Sequence, residues 1–302
     1  MPKLFASKAL LLAILAVAAV LVAAGCNDDE DESGEPAAQE AQTTGGADAD
    51  GQASIRKGFV AVERQLAKVD SQVSTPPGAH EFRTSGQAPP ATMDVFLTDV
   101  LGNIDRYWTR TLTSANLPEA QVNYLWLAPG VTQQTGCVKR DGSPEVANDS
   151  SAAYCPGDDT IYVAQKLASD VWNGIAEGFA GQAAGQGRAI GDFGVALILA
   201  HEYGHNVQHE LGHYKNFSPA TVRPFELQAD CMAGAWANSV YFEGLLDEGD
   251  IEEGISTTLA VGDFDTFDPG HHGTPEQRRE AMLLGYNTGD LSQCNAYLNL
   301  TQ

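Results

Sequence analysis

Residues 193–211 read as one long helix whose first turns, Val195-Ala-Leu-Ile-Leu-Ala200, are unusually apolar, so that end must be buried. Its second half carries His201-Glu202-Tyr203-Gly204-His205. Histidines four apart on a helix lie one turn apart, and both imidazoles project from one face. Such a pair can chelate one metal ion, and Glu202 lies close enough to take a proton from water beside it. In a chain of this composition, about 0.01 matches to the pattern arise by chance. The motif therefore demands a helix at that place, an element packed on its histidine face, and a third ligand from elsewhere in the chain.

A catalytic zinc site uses three protein ligands and keeps one position open. A metzincin would need glycine at position 208 and histidine at 211; Gln208 and Leu211 stand there, which excludes that class. His209 and His213 continue the helical face but lie about 6 and 12 Å further along the axis than His205. They are too far along to share the ion and read as surface or cleft residues. Glu226, in Phe225-Glu-Leu-Gln-Ala-Asp230, is the better third ligand, because an acid amid Phe225, Leu227 and Ala229 needs a reason. Asp230 shares its face, four residues on, and can accept a hydrogen bond from a ligating imidazole. Cys155 is a weaker candidate, since Cys-Pro-Gly makes a turn.

The other end of the chain speaks of export. Lys3 and Lys8 precede an apolar run, Ala9 to Ala24, ending in Gly25-Cys26. A basic start, a short apolar stretch and small residues form an export signal. Leu21-Val-Ala-Ala-Gly-Cys26 resembles a bacterial lipobox, in which the cysteine is lipidated; Ala23 stands where leucine is usual. Residues 26–53 follow as an acidic tether too polar to bury a core. Taking the two signal lysines and the nine tether acids from the formal charge of −23 leaves −16 on the remainder. Nothing that acidic suits nucleic acid, whose phosphates need a basic patch.

Residues 54–90 read as a helix, with Ile55, Phe59, Val62, Leu66 and Val69 on one face, then a proline-rich spacer. Residues 91–302 form the main domain. Helices are expected over Met93–Thr113 with Val95 on its buried face, over 163–179, from Ser218-Pro219 towards Phe242, and from Thr274-Pro-Glu-Gln277, a capping box. Residues 124–127 read as a buried strand. Thr160-Ile161-Tyr162-Val163-Ala164 reads as the sheet edge that would pair with an extended substrate. Five glycines between 181 and 194 suggest a flexible connection. With Cys26 lipidated, four cysteines remain and three pairings are possible. Proximity favours Cys137–Cys155, and elimination then leaves Cys231–Cys294.

Leu199-Ala-His-Glu-Tyr-Gly-His-Asn-Val-Gln208, Glu226-Leu-Gln-Ala-Asp-Cys-Met-Ala-Gly234 and His272-Gly-Thr-Pro-Glu-Gln-Arg278 occur in this order, after Tyr154-Cys-Pro156. As a set, from about Met93 to Cys294, they resemble the bacterial putative neutral zinc metallopeptidase family. That resemblance implies a zincin-like α+β fold, mostly helical, with a small sheet beside the His201–His205 helix. It also implies one Zn²⁺ per chain with glutamate as third ligand. The expected activity is hydrolysis of peptide or protein substrates at the outer face of the cell membrane. Glu202 would serve as the base. His272 is the first candidate to stabilise the oxyanion, with Tyr214 and Arg223 as alternatives. Rival readings are a catalytically silent zinc-binding lipoprotein and an amidase acting on cell-wall peptides.

Overall fold

The computed structural model describes residues 92–216 and 219–299. The expected signal segment, Cys26, the tether and the helix over 54–73 lie outside them. Among the described residues no helix is long and apolar enough to cross a membrane.

Helix α1 (Met93–Ser114) buries Phe96, Leu97, Val100, Leu101, Ile104, Tyr107, Trp108 and Leu112 at helical spacing. Val95 falls outside the stripe and is exposed. Five strands follow: β1 (Asn123–Leu127), β2 (Gln133–Val138), β3 (Pro144–Ala147), β4 (Ala152–Cys155) and β5 (Thr160–Ala164). β1, β5 and β4 make one sheet in that order, β1 parallel and β4 antiparallel to β5; β2 and β3 make a separate hairpin.

This order corrects two expectations. Residues Ile161, Tyr162 and Val163 lie in the central strand, with neighbours on both sides, so Thr160–Ala164 is not an edge. Their unbroken apolar run reports burial on both faces, which is the signature of an interior strand. β1, expected to be buried, is itself an edge; Tyr124 and Leu125 are exposed and only Leu127 is buried. The other edge is β4, a strand too short and mixed to be read from sequence. The disulfide Cys137–Cys155 joins it to the hairpin.

Helix α2 (Gln165–Trp172) ends at Asn173-Gly174, where Gly174 takes φ +65°, earlier than the expected 179. The glycine-rich stretch after it includes a short α3 (Ala180–Ala183) and is pinned rather than loose. Arg188 Nη1 donates to Gly174 O at 2.6 Å, and its main-chain N–H and O both bond the Ser256 hydroxyl. A Cβ at Gly181 or Gly187 would meet backbone oxygen at 2.0 or 2.4 Å. These glycines permit close backbone approach.

Helix α4 (Gly191–Glu210) carries the histidine pair. Then come α5 (His213–Asn216), α6 (Arg223–Phe242), α7 (Asp250–Val261), α8 (Pro275–Thr288), α9 (Leu291–Cys294) and a 3₁₀ turn over 295–299. α6 begins at Arg223, with Pro224 in its first turn, and not at Ser218. α8 opens with the expected capping box: Thr274 Oγ1 accepts from Gln277 N–H, and Gln277 Oε1 accepts from Thr274 N–H. α6 lies between α4 and α8. A Cβ at Gly234 would sit 2.0 Å from Met282 O, and one at Gly285 would sit 1.9 Å from Cys231 O, so the α6 and α8 backbones touch. The disulfide Cys231–Cys294 ties α6 to α9, the short helix that follows α8. Both cysteine pairings are those expected.

Candidate metal centre and cleft

The second half of α4 crosses α6 where Gly204 faces Ala229; a Cβ on Gly204 would lie 3.2 Å from the Ala229 Cα. The motif's glycine therefore serves helix approach, and that approach places Glu226 opposite the histidines. His201 Nε2 and His205 Nε2 are 3.1 Å apart, and the two Glu226 oxygens lie 3.2 and 3.3 Å from them. Donor atoms of all three residues fall within 4.8 Å of one another.

The outer ring nitrogens show what this convergence requires. His201 Nδ1 bonds Asp230 Oδ1 at 2.9 Å, and a carboxylate only accepts, so Nδ1 carries a hydrogen. His205 Nδ1 faces Gln208 Oε1 at 2.8 Å. That amide is oriented by its own nitrogen, which donates to Phe225 O and Gln228 Oε1. With both Nδ1 atoms acting as donors, both Nε2 lone pairs point into one space beside a carboxylate. Such an arrangement needs a positive charge at its centre, either a proton or a metal ion.

Charge supports the same conclusion. Burial alone would raise Glu226, but the His205 and His201 imidazoles hold it well below the ordinary carboxylate range. Burial likewise works against His201, yet the Asp230 carboxylate prevails and lifts it to about 10. Asp230 is in turn held low, against burial, chiefly by Arg278. Arg278 is buried and forked on Asp230, Nε to Oδ2 at 2.8 Å and Nη2 to Oδ1 at 2.9 Å. It also lies 3.7 Å from Glu226 Oε2. Glu226 and Asp230, both held low, face the two imidazoles and a single guanidinium, a set of donors that a divalent cation would complete. The nitrogen and oxygen donors, two imidazoles and one carboxylate, suit zinc.

Glu202 sits beside this group, its Oε2 accepting from the Tyr154 N–H at 2.8 Å. That amide belongs to β4 and points away from β5. Ala152, two residues earlier, shares its direction on the free edge. A cleft of about 520 Å³ opens over the centre, and Ala152, Ala153, Tyr154, His201, Glu202, His205, Glu226 and His272 are among its walls.

His272 reaches the cleft from the loop before α8. Its side chain is half exposed, with its N–H on Asp263 Oδ2 at 2.8 Å and its Nδ1 3.2 Å from the same oxygen. Both of these bonds leave Nε2 unused. Tyr214 Oη lies 3.2 Å from His205 Nδ1, behind the ring, so it positions His205 rather than reaching an oxyanion. Arg223 is not among the cleft residues.

Neither later histidine joins the metal group, as expected, but His213 is not a surface or cleft residue. Gly212, at φ +77°, turns the chain out of α4, and His213 packs fully buried, with burial lowering it to about 4. His209 packs behind β4, its Nδ1 2.6 Å from the Tyr154 hydroxyl, and lines no part of the cleft.

Sequence reasoning missed four participants: Arg278, Gln208, Asp263 and the Tyr154 amide. Arg278 stood inside a quoted motif without a role. Gln208 was used only to exclude a class. A backbone amide leaves no trace in sequence.

The profile of the putative neutral zinc metallopeptidase family matches residues 60–297. The chain belongs to that family. Among curated relatives, the Escherichia coli K12 "Uncharacterized protein YpfJ" is 33% identical over 167 residues, covering 48% of this chain and 53% of that protein. The Mycobacterium tuberculosis H37Rv "Uncharacterized protein Rv2575" is 30% identical over 210 residues, covering 58% of this chain and 67% of that protein. The match thus spans about half the length of the E. coli relative. No solved structure matches.

Proposed function

We propose that this family member is a zinc-dependent peptidase of zincin-like architecture, with His201, His205 and Glu226 holding one zinc ion. The observation that carries the reading is the convergence of two Nε2 lone pairs and a carboxylate beside an unshared acid, Glu202. A purely structural zinc site has no use for that acid. When bound, zinc supplies Lewis acidity, which makes water a nucleophile near neutral pH and polarises a carbonyl. Glu202 Oε1, the oxygen not taken by the Tyr154 amide, accepts the water's proton and later passes it to the leaving amine. Asp230 and Gln208 keep both imidazoles in the ligating tautomer. The free edge of β4, at Ala152, pairs with an extended peptide. His272, tied to Asp263, offers Nε2 as a donor to the developing oxyanion.

The location belongs to the same proposal. A lipid on Cys26 would anchor the chain on the extracytoplasmic face, with residues 26–53 as spacer. Two disulfides suit an oxidising compartment.

The test compares wild type and Glu202→Gln full chains, each with its zinc content measured, on a mixed peptide library. Both should hold about one zinc. Wild type should cleave, and the variant should lose on the order of a hundredfold or more in rate. Zinc in both with cleavage by neither would overturn the peptidase reading. A zinc-free wild type would overturn the ligand assignment.

A further inference from the structure

Much of the cleft wall is apolar. Leu197 and Ile198 stand one turn before His201 on α4, so an apolar surface begins about 5 Å along the helix from the metal ligands. Leu167 of α2, Phe179, and Val261 of α7 complete it. Thr257 and Thr258 also border the cleft, and both hydroxyls are engaged with backbone. Thr257 Oγ1 accepts the Ile190 N–H, and Thr258 Oγ1 donates to Gly254 O and Ile255 O. Behind Leu167, Ile198 and Ala152 lies a small void of about 10 Å³ with only aliphatic walls. The pocket thus backs onto dry core.

The charged groups that line the cleft are accounted for elsewhere. Glu202, Glu226, Asp230, His201 and His205 belong to the metal centre, and Arg278 is forked on Asp230. Glu145 adds a further negative charge, and His272 is tied to Asp263. No free cation is left among the described lining residues to receive an acidic side chain. Apolar surface bordering an open cleft calls for an apolar occupant.

We infer that the cleft selects its substrate by an aliphatic or aromatic side chain next to the cleaved bond. That side chain sits among Leu197, Ile198, Thr258 and Val261, and aspartate or glutamate is rejected there. The inference rests on the peptidase reading, and it names the substrate class: extended peptides with Leu, Ile, Met or Phe at one fixed position beside the cut. Ile198 and Val261, only partly buried where Leu197, Thr257 and Thr258 beside them are sealed, are the specificity-determining residues.

Two measurements test it on the zinc-loaded full chain. In the first, cut sites in a mixed peptide library are read by mass spectrometry. One position flanking the cut should favour Leu or Phe over Glu by about tenfold or more, since differences of this kind in an apolar pocket are worth at least that. Val261→Phe, which fills the pocket, should shift the Leu-to-Ala ratio at that position about tenfold towards Ala. Should that variant fail to fold, Ile198→Ala, which deepens the pocket, should shift the ratio towards Phe. In the second, Glu202→Gln protein is titrated with acetyl-Gly-Leu-amide and acetyl-Gly-Glu-amide and binding is followed by NMR. The leucine peptide should bind more tightly, by about tenfold. Cleavage without preference at either flanking position overturns the pocket and leaves the peptidase reading intact. So does an unchanged profile in both pocket variants. Preferential binding of the leucine peptide with no cleavage of anything supports the pocket and overturns the peptidase reading. Equal binding of the two peptides overturns the pocket.

Discussion

Without metal, the positive charge at the centre of the site is a proton, and its release should be measurable. Asp230 lifts His201 to about 10, so at pH 7 the metal-free ring is an imidazolium between Asp230 and Glu226. A ligating imidazole must be neutral, so metal binding expels that proton. Zinc affinity should therefore rise about tenfold per pH unit from pH 7 towards pH 9, and at pH 7 competition by the proton costs on the order of a thousandfold. Asp230→Asn removes the main group that raises His201. Its ring value then falls, and the rise of affinity with pH should be shallower than in wild type. The variant should also bind about 10–100-fold more weakly at high pH, because the ring loses its orienting carboxylate. The assay is competition against a chromophoric chelator from pH 6 to 9. Calorimetry in two buffers of different ionisation enthalpy counts the protons released. If wild type releases no proton at pH 7 to 8, His201 is neutral in the metal-free site and the reasoning fails. The same group has a sign for stability. With a folded value above 6.5, it stabilises the metal-free protein fully below that pH, and the contribution is lost as pH rises through about 10.

Three further outcomes follow from contacts described above or nearby. Asp263→Asn should leave zinc content unchanged and lower kcat about tenfold or more with little change in KM, because His272 loses its anchor; equal kcat would remove His272 from the mechanism. Cys294→Ser opens a bridge between residues 63 apart and should cost about 4 kcal/mol in chemical denaturation on the chain-entropy account. Zinc retention should fall as well, since Cys231 adjoins Asp230. At the start of α4, Asp192, Asp250 and Glu253 crowd together, and burial first, then the neighbouring acids, lifts Glu253 to about 7 and Asp192 to about 6. Both raised carboxyls favour folding below their ordinary range and lose that contribution as pH climbs through 6 and 7. Glu253→Gln should therefore raise Tm at pH 8 more than at pH 5; an equal shift at both would dismiss the crowding.

The residues proposed to hold metal were legible because their spacing is local. His201 and His205 are one turn apart whatever surrounds them, and Glu226 and Asp230 repeat that geometry on the next helix. Cys137–Cys155 and the Thr274 cap could be read for the same reason, whereas Cys231–Cys294, 63 residues apart, followed by elimination. The sheet could not. β4 is four residues of mixed character, and its edge position depends on pairing with β5, eight residues on. The apolar run of β5 was recognised as a strand, but its order in the sheet is a tertiary fact. α7 went unplaced because Gly254 and the threonines dilute its stripe. His213 was misread because a helical projection was carried past Gly212, where the helix stops. The glycines between 181 and 194 looked like freedom because composition alone does not reveal what lies 2 Å away.

One hydrogen bond, from the Tyr154 amide to Glu202, ties the rim of the sheet to the carboxylate beside the histidine pair. A guest strand laid along that rim would pull on the backbone that fixes the carboxylate's angle. If the chain cleaves peptides as proposed, alignment and reactivity become a single coordinate: a guest in the wrong register would sit on the rim and outlast many productive visitors without being cut. Chains that dock askew would behave as slow-leaving inhibitors, and sequences that fit would pass through quickly.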